Sequence, residues 1–129
     1  MKEFTYKEKI AIVKVLTEIL QADNVVHDNE IEYMNEVVES FNLDSNYQSD
    51  LDKMMTIQAL SIIRDLSVAQ KEKVSKMMGT MIVVDRDINY NEVKLYNTFC
   101  ETCDISKDFN VNDYPEISLS GPFINPEDI

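Results

Sequence analysis

An all-α fold, a compact helical bundle built from two related helical hairpins, is what this sequence predicts, and three observations carry the reading. The 129 residues include only two Gly and three Pro, so few positions interrupt regular structure. Leu, Ile, Val and Met recur at three- and four-residue steps, the period of a helix with one buried face. The same pattern of apolar and acidic residues occurs twice, 62 residues apart, the spacing of Asp23 and Asp85. A domain of this length buries roughly two-thirds of its unfolded surface, enough for a real core.

The first helix starts at Thr5, where Thr5 and Glu8 have the spacing of a capping box. Ile10, Ile12, Val13, Leu16, Ile19 and Leu20 supply its apolar face, and it should run to about Ala22. After a polar turn, "NEIEYMNEVVESFNL" sets Ile31, Met34, Val37, Val38 and Phe41 on one face of a second helix ending near Asn42. The polar stretch "DSNYQSDLDKMM" reads as a short helix or irregular connector. "TIQALSIIRDLS" then offers Ile57, Leu60, Ile63 and Leu66 to the core. Ser67 and Gln70 cap a further helix whose stripe is Val74, Met77, Met78, Met81 and Ile82. A last helix, about Asn91 to Cys103, carries Val93, Tyr96, Phe99, Cys100 and Cys103 inward. Residues 1–105 thus form the domain, and 106–129, with all three Pro, an extended tail that Phe109, Tyr114, Ile117 and Phe123 pin in part to the body.

The repeat aligns "ADNVVHDNEIEYMNEVVESFNLD" with "VDRDINYNEVKLYNTFCETCDIS" without a gap. Asp23 meets Asp85, Val26 meets Ile88, Asn29 meets Asn91 and Glu30 meets Glu92; upstream, Ile12, Leu16, Ile19 and Leu20 meet Val74, Met78, Met81 and Ile82. The shared turn reads D-x-x-[VI]-x-x-N-E. Capping explains much of it, because Asn89 stands three residues before Glu92, and Val26 or Ile88 can staple back onto the new helix. In the first copy the cap is His27, a poorer oxygen donor. The leading Asp is harder to explain, since it follows a helix end that already carries partial negative charge. Loop N–H groups, the next helix N-terminus or a cation would offset that cost.

With this turn in both halves, the chain from Thr5 to Ile105 resembles the tellurite-resistance TerB-like family, in which an alanine-rich helix ends in Asp-Gly and a Glu opens the next helix, twice over. The resemblance implies a compact all-helical domain, found in stress-response settings or beside a chaperone J-domain, whose acidic turn residues are suspected of binding a metal ion. Residue by residue, it assigns the acidic pairs to Asp23 with Glu30 and to Asp85 with Glu92. The family's Gly after Asp is Asn24 in one copy and Arg86 in the other. Asn tolerates a left-handed backbone better than Arg, so the second turn is the one expected to be reshaped.

A divalent-cation site at Asp85, Asp87, Asn89 and Glu92 has the hard oxygen donors that calcium or magnesium requires, rather than zinc. It is not an EF-hand, because Tyr90 stands where the sharp-turn Gly belongs and Tyr96 where the late carboxylate belongs. The first loop, with Asp23, Asp28 and Glu30, is a weaker version. The metal candidates are therefore Asp23, Glu30, Asp85, Asp87 and Glu92, with turn and capping chemistry as the competing account. "CETC" has redox or zinc spacing, but His27 is the one histidine and no second Cys pair exists. Cys100 aligns with Val38 and Cys103 with Phe41, which makes them buried thiols. The methionines, Met54, Met55, Met77, Met78 and Met81, read as core filling.

The net charge of −12 disfavours nucleic acid and anionic lipid as partners. No apolar run spans a bilayer and the charged N-terminus is unlike a signal peptide, so a cytoplasmic protein is expected. Without a nucleophile and base pairing or a glycine-rich phosphate loop, no enzyme is expected either. Two functions remain: a non-enzymatic, stress-associated protein binding divalent cations weakly at its two turns, and an adaptor for an unknown protein partner whose turns are structural.

Overall fold

The computed structural model describes residues 3–22, 27–84, 86–110, 113–114 and 118–120. Within them lie α1 (Tyr6–Leu20), α2 (Asp28–Ser40), α3 (Tyr47–Lys53), α4 (Thr56–Arg64), α5 (Val68–Val83), β1 (Asp87–Asn89), α6 (Tyr90–Cys103) and β2 (Ser118–Ser120). The all-α bundle expected from periodicity is the observed fold, with one short strand pair added to it.

Helix starts follow local chemistry. Thr5 caps α1 by accepting from the Glu8 N–H at 3.2 Å while the Glu8 carboxylate accepts from the Thr5 N–H at 2.8 Å. Ser67 and Gln70 do the same for α5, at 3.1 and 2.9 Å. Each box satisfies N–H groups that a helix start otherwise leaves without intrahelical partners.

Helix α1 is the central element, packed against α2, α3, α4, α5 and α6. Eight of its fifteen residues are buried, including Ile12, Leu16 and Ile19, so it is apolar around much of its circumference. The repeat is visible in this core: Ile12, Leu16, Ile19 and Leu20 are buried, and so are Val74, Met78, Met81 and Ile82. Val93, Tyr96, Phe99, Cys100 and Cys103 of α6 all face inward, as expected.

Three faces differ from expectation. Helix α2 buries Glu30 and Val37, whereas Ile31 is exposed. Helix α4, docked along α1, turns Ala59 and Ile63 inward, four residues apart on one face, and leaves Ile57 outside. Met55, read as core, is also exposed at the α3–α4 corner. The charged side chains of α1 are more engaged than a solvated face would be. Glu18 accepts from the Thr56 hydroxyl at 2.8 Å, and the Lys14 ammonium donates to the Leu51 carbonyl at 3.5 Å.

After α6 ends in a left-handed residue, Asp104 (φ 57°), the chain returns along α5 as a strap. Phe109 lies over Gly79, where an added Cβ would stand 3.3 Å from its ring. Its ring meets Tyr96 edge-on, with centroids 5.7 Å apart, and stacks on Tyr114 at 5.6 Å. The Tyr96 hydroxyl accepts from the Phe109 N–H at 3.1 Å and shares a hydrogen bond with the buried Ser75 hydroxyl at 2.9 Å. Further on, β2 pairs in parallel with β1, Asp87 opposite Ser118 and Asn89 opposite Ser120. A parallel pair needs a long crossover, and here α6 and the strap provide it. Ile117 and Phe123, expected to pin the tail, lie outside the described residues.

Candidate functional site: the two inter-helix turns

Each turn carries a chain from the end of one core helix to the start of the next, and each delivers a glutamate to the third position of the new helix. Glu30 is the third residue of α2 and Glu92 the third of α6. Both are buried, at 0% and 1% relative exposure. A carboxylate in a low-dielectric core is costly unless hydrogen bonds, a proton or an opposite charge compensate it. Part of the compensation at Glu30 is local: its Oε1 accepts from the His27 N–H at 3.1 Å. The positive end of each helix dipole adds to it, since both glutamates sit in a first turn.

Glu30, Val37 and Phe41 mark the inner face of α2, and Ile31, about 100° from Glu30, lies outside it. On α6 the neighbour of Glu92, Val93, is buried, so the packing around each helix decides how wide that face is. Apolar spacing and the repeat, which matches Ile31 to the inward Val93, both pointed Ile31 to the core, and the two copies differ at this position.

In the second turn Asn89 caps α6 by accepting from the Asn91 N–H at 2.8 Å. Ile88 is fully buried, as the stapling residue should be. Asp87 is half-buried and Arg86 has φ 62°, so this turn keeps a left-handed backbone despite the Arg. That conformation costs a non-glycine residue about 1–2 kcal/mol. Arg at this position led to the expectation of a reshaped second turn; Arg86 instead takes the left-handed conformation, beside the buried Ile88 and the β1–β2 pairing.

Of the five candidate metal ligands, the structure describes Glu30, Asp87 and Glu92, while Asp23 and Asp85 lie outside the described residues. Among the described residues no three His, Cys, Asp or Glu side chains converge as a metal site would need.

Two surface grooves beside the turns obey the repeat. One, of about 280 Å³, is lined by Asn29, Glu32, Tyr33, Glu36 and Val84. The other, of about 700 Å³, is lined by their counterparts Asn91, Lys94, Leu95, Thr98 and Ala22, together with Glu18 and Gln21. The start of α2 thus faces the end of α5, and the start of α6 the end of α1, so the two halves interlock rather than stand side by side. Lys94 opposite Glu32 in the alignment makes the grooves chemically distinct, the smaller one acidic.

The thiols form no second site. Cys100 and Cys103 are buried, and burial pushes each up to about 11, away from the range where a thiolate reacts. The Cys103 thiol donates to the Leu60 carbonyl at 3.4 Å. Burial likewise raises the pKa of Tyr96.

No helix among the described residues is long and apolar enough to cross a membrane. Neither a protein-family model nor a curated protein matches the chain. Among solved structures the fold is similar to that of PG1108 from Porphyromonas gingivalis, a protein of unknown function, with a TM-score of 0.69, 22% sequence identity and coverage of 88% of this chain and 92% of that one. At that identity the likeness is one of fold.

Proposed function

We propose that this chain is a TerB-like, stress-associated binding protein that catalyses no reaction itself and holds divalent cations weakly at its two acidic turns. The observation that carries the reading is the buried pair Glu30 and Glu92, set at equivalent repeat positions in the first turn of α2 and α6. With Asp23 seven residues before Glu30 in the sequence, and Asp85 and Asp87 seven and five before Glu92, each turn offers hard oxygen donors suited to calcium or magnesium. So small a donor set supports affinities on the order of high micromolar to millimolar.

The test is thermal and chemical denaturation of the whole chain with calcium, magnesium, manganese or zinc. A cation at one hundred times its dissociation constant should add about 2.7 kcal/mol of stability. The gain should fall by about half in an Asp85→Ala, Glu92→Ala variant, which keeps the first turn, and vanish when Asp23→Ala and Glu30→Ala are added to it. Unchanged stability in all four cations refutes the reading.

A second reading, a protein-interaction module with structural turns, is favoured by Met55 and Ile57, large apolar side chains exposed at 64% and 71%.

A further inference from the structure

Away from both turns, the start of α1 and the α3–α4 corner enclose a groove of about 610 Å³. Its floor is apolar, formed by buried Ile10 and half-buried Met54 and Ile62. Tyr6 closes one side, and its hydroxyl donates to the Asp50 carboxylate. Lys7 and Lys53 stand exposed on the rim. No ion pair engages either lysine among the described residues. Met55 and Ile57, neighbours of Met54 and Gln58 in the chain, are large apolar side chains exposed at 64% and 71%.

Contiguous exposed apolar surface beside a groove marks an interaction site more often than chance. Its charge selects the partner. The chain as a whole carries −12, yet this groove presents two free ammonium groups against one carboxylate, Asp50, already bound by Tyr6. Asp44 lies near the Tyr6 side as a further anion. At physiological salt charges are screened over about 8 Å, so a ligand seated here feels Lys7 and Lys53 more than the distant acidic surface.

We propose that this groove docks an acidic, amphipathic peptide segment of another protein, laying apolar side chains on Met54, Ile62 and Ile57 and carboxylates on Lys7 and Lys53. The mode is that of an amphipathic segment in an apolar groove with a charged rim. A second copy of the chain is a poorer occupant, since it brings a charge of −12 over a surface far wider than the groove, as an anionic bilayer does, whereas a short peptide can keep its few carboxylates beside the two lysines.

The inference does not depend on cation binding, and its test runs in EDTA so that the two can fail separately. A displayed library of random peptides, about a dozen residues long, is selected on the immobilised full chain, and enriched peptides are titrated by fluorescence anisotropy. Enrichment of net-negative peptides with two or more large apolar residues is expected. Their binding should weaken at least tenfold on Lys7→Glu, Lys53→Glu and on Ile57→Ser, with the melting temperature unchanged. Enrichment of basic or neutral peptides, no enrichment, or equal binding by the charge-reversed variant overturns the proposal. So does a dimer in sedimentation that Ile57→Lys disperses, or co-sedimentation of the chain with phosphatidylglycerol vesicles.

Discussion

Replacing Tyr96 by Phe removes one oxygen atom and leaves the ring packing of α6 almost untouched, which makes it a clean probe of how the strap is held. The lost hydroxyl serves two groups, the Phe109 N–H and the Ser75 hydroxyl, and Ser75 is only 2% exposed. A buried group deprived of its partner costs about 1–3 kcal/mol. Ser75 can turn back to a carbonyl of its own helix and recover part of that; the Phe109 N–H has no such alternative in an extended strap. A total of about 2 kcal/mol follows, equivalent to roughly a thirtyfold rise in strap opening. If strap and body unfold together, urea midpoints fall at constant slope and the melting temperature drops by about 6–10 °C for a domain of this size. If the strap opens first, the loss shows instead as faster amide exchange at Phe109. A Ser75→Ala, Tyr96→Phe double variant should lose less than the two single losses added, because both delete the same bond. Stability within 0.5 kcal/mol of wild type, together with unchanged exchange at Phe109, would refute the latch.

Two further outcomes follow from the described geometry. Burial raises the Cys100 and Cys103 thiols from 9.0 to about 11, so the unfolded chain ionises first. The stability they contribute is complete below pH 9 and is lost as pH rises towards 11, by on the order of 1–3 kcal/mol for the pair after allowance for partial solvation; denaturation midpoints at pH 8 and 10 should diverge in wild type and much less in Cys100→Val, Cys103→Ala. At Arg86, with φ 62°, Gly relieves left-handed strain but adds unfolded-state freedom, so Arg86→Gly should gain about 0.5–1 kcal/mol and Arg86→Val lose about 1 or more by urea titration; the opposite order would mean that the Arg side chain itself holds the turn.

Most of the fold was legible because its signals are local. Thr5 with Glu8 and Ser67 with Gln70 mark helix starts in four residues each, and the stripe Val74, Met78, Met81, Ile82 repeats Ile12, Leu16, Ile19, Leu20 closely enough to fix both core helices. Ile31 and Ile57 misled for a common reason. Periodicity says that a helix has an apolar face but not where that face must stop, and on α2 and α4 the neighbours decide it. The β1–β2 pair was illegible, because three-residue strands separated by an entire helix leave no pattern in either segment. Of the site, the equivalence of Glu30 and Glu92 could be read from the alignment; their burial could not, since acidic residues at a helix start are ordinarily solvated.

Duplication and divergence can be separated on this structure. The core helices, the third-position glutamates and the grooves beside the turns occur in both halves, so they belong to the repeated unit. The strap belongs to the second half alone: it continues from α6, crosses Gly79 of α5 and ends against β1, inside the second turn. That turn is also the one with a strained Arg in place of the more permissive Asn, and pairing by β2 supplies a means of holding it. The second turn is therefore tied to the strap. A change that reshapes residues 86–89 must work against the β1–β2 pairing and, through the strap, against the Tyr96–Phe109 latch.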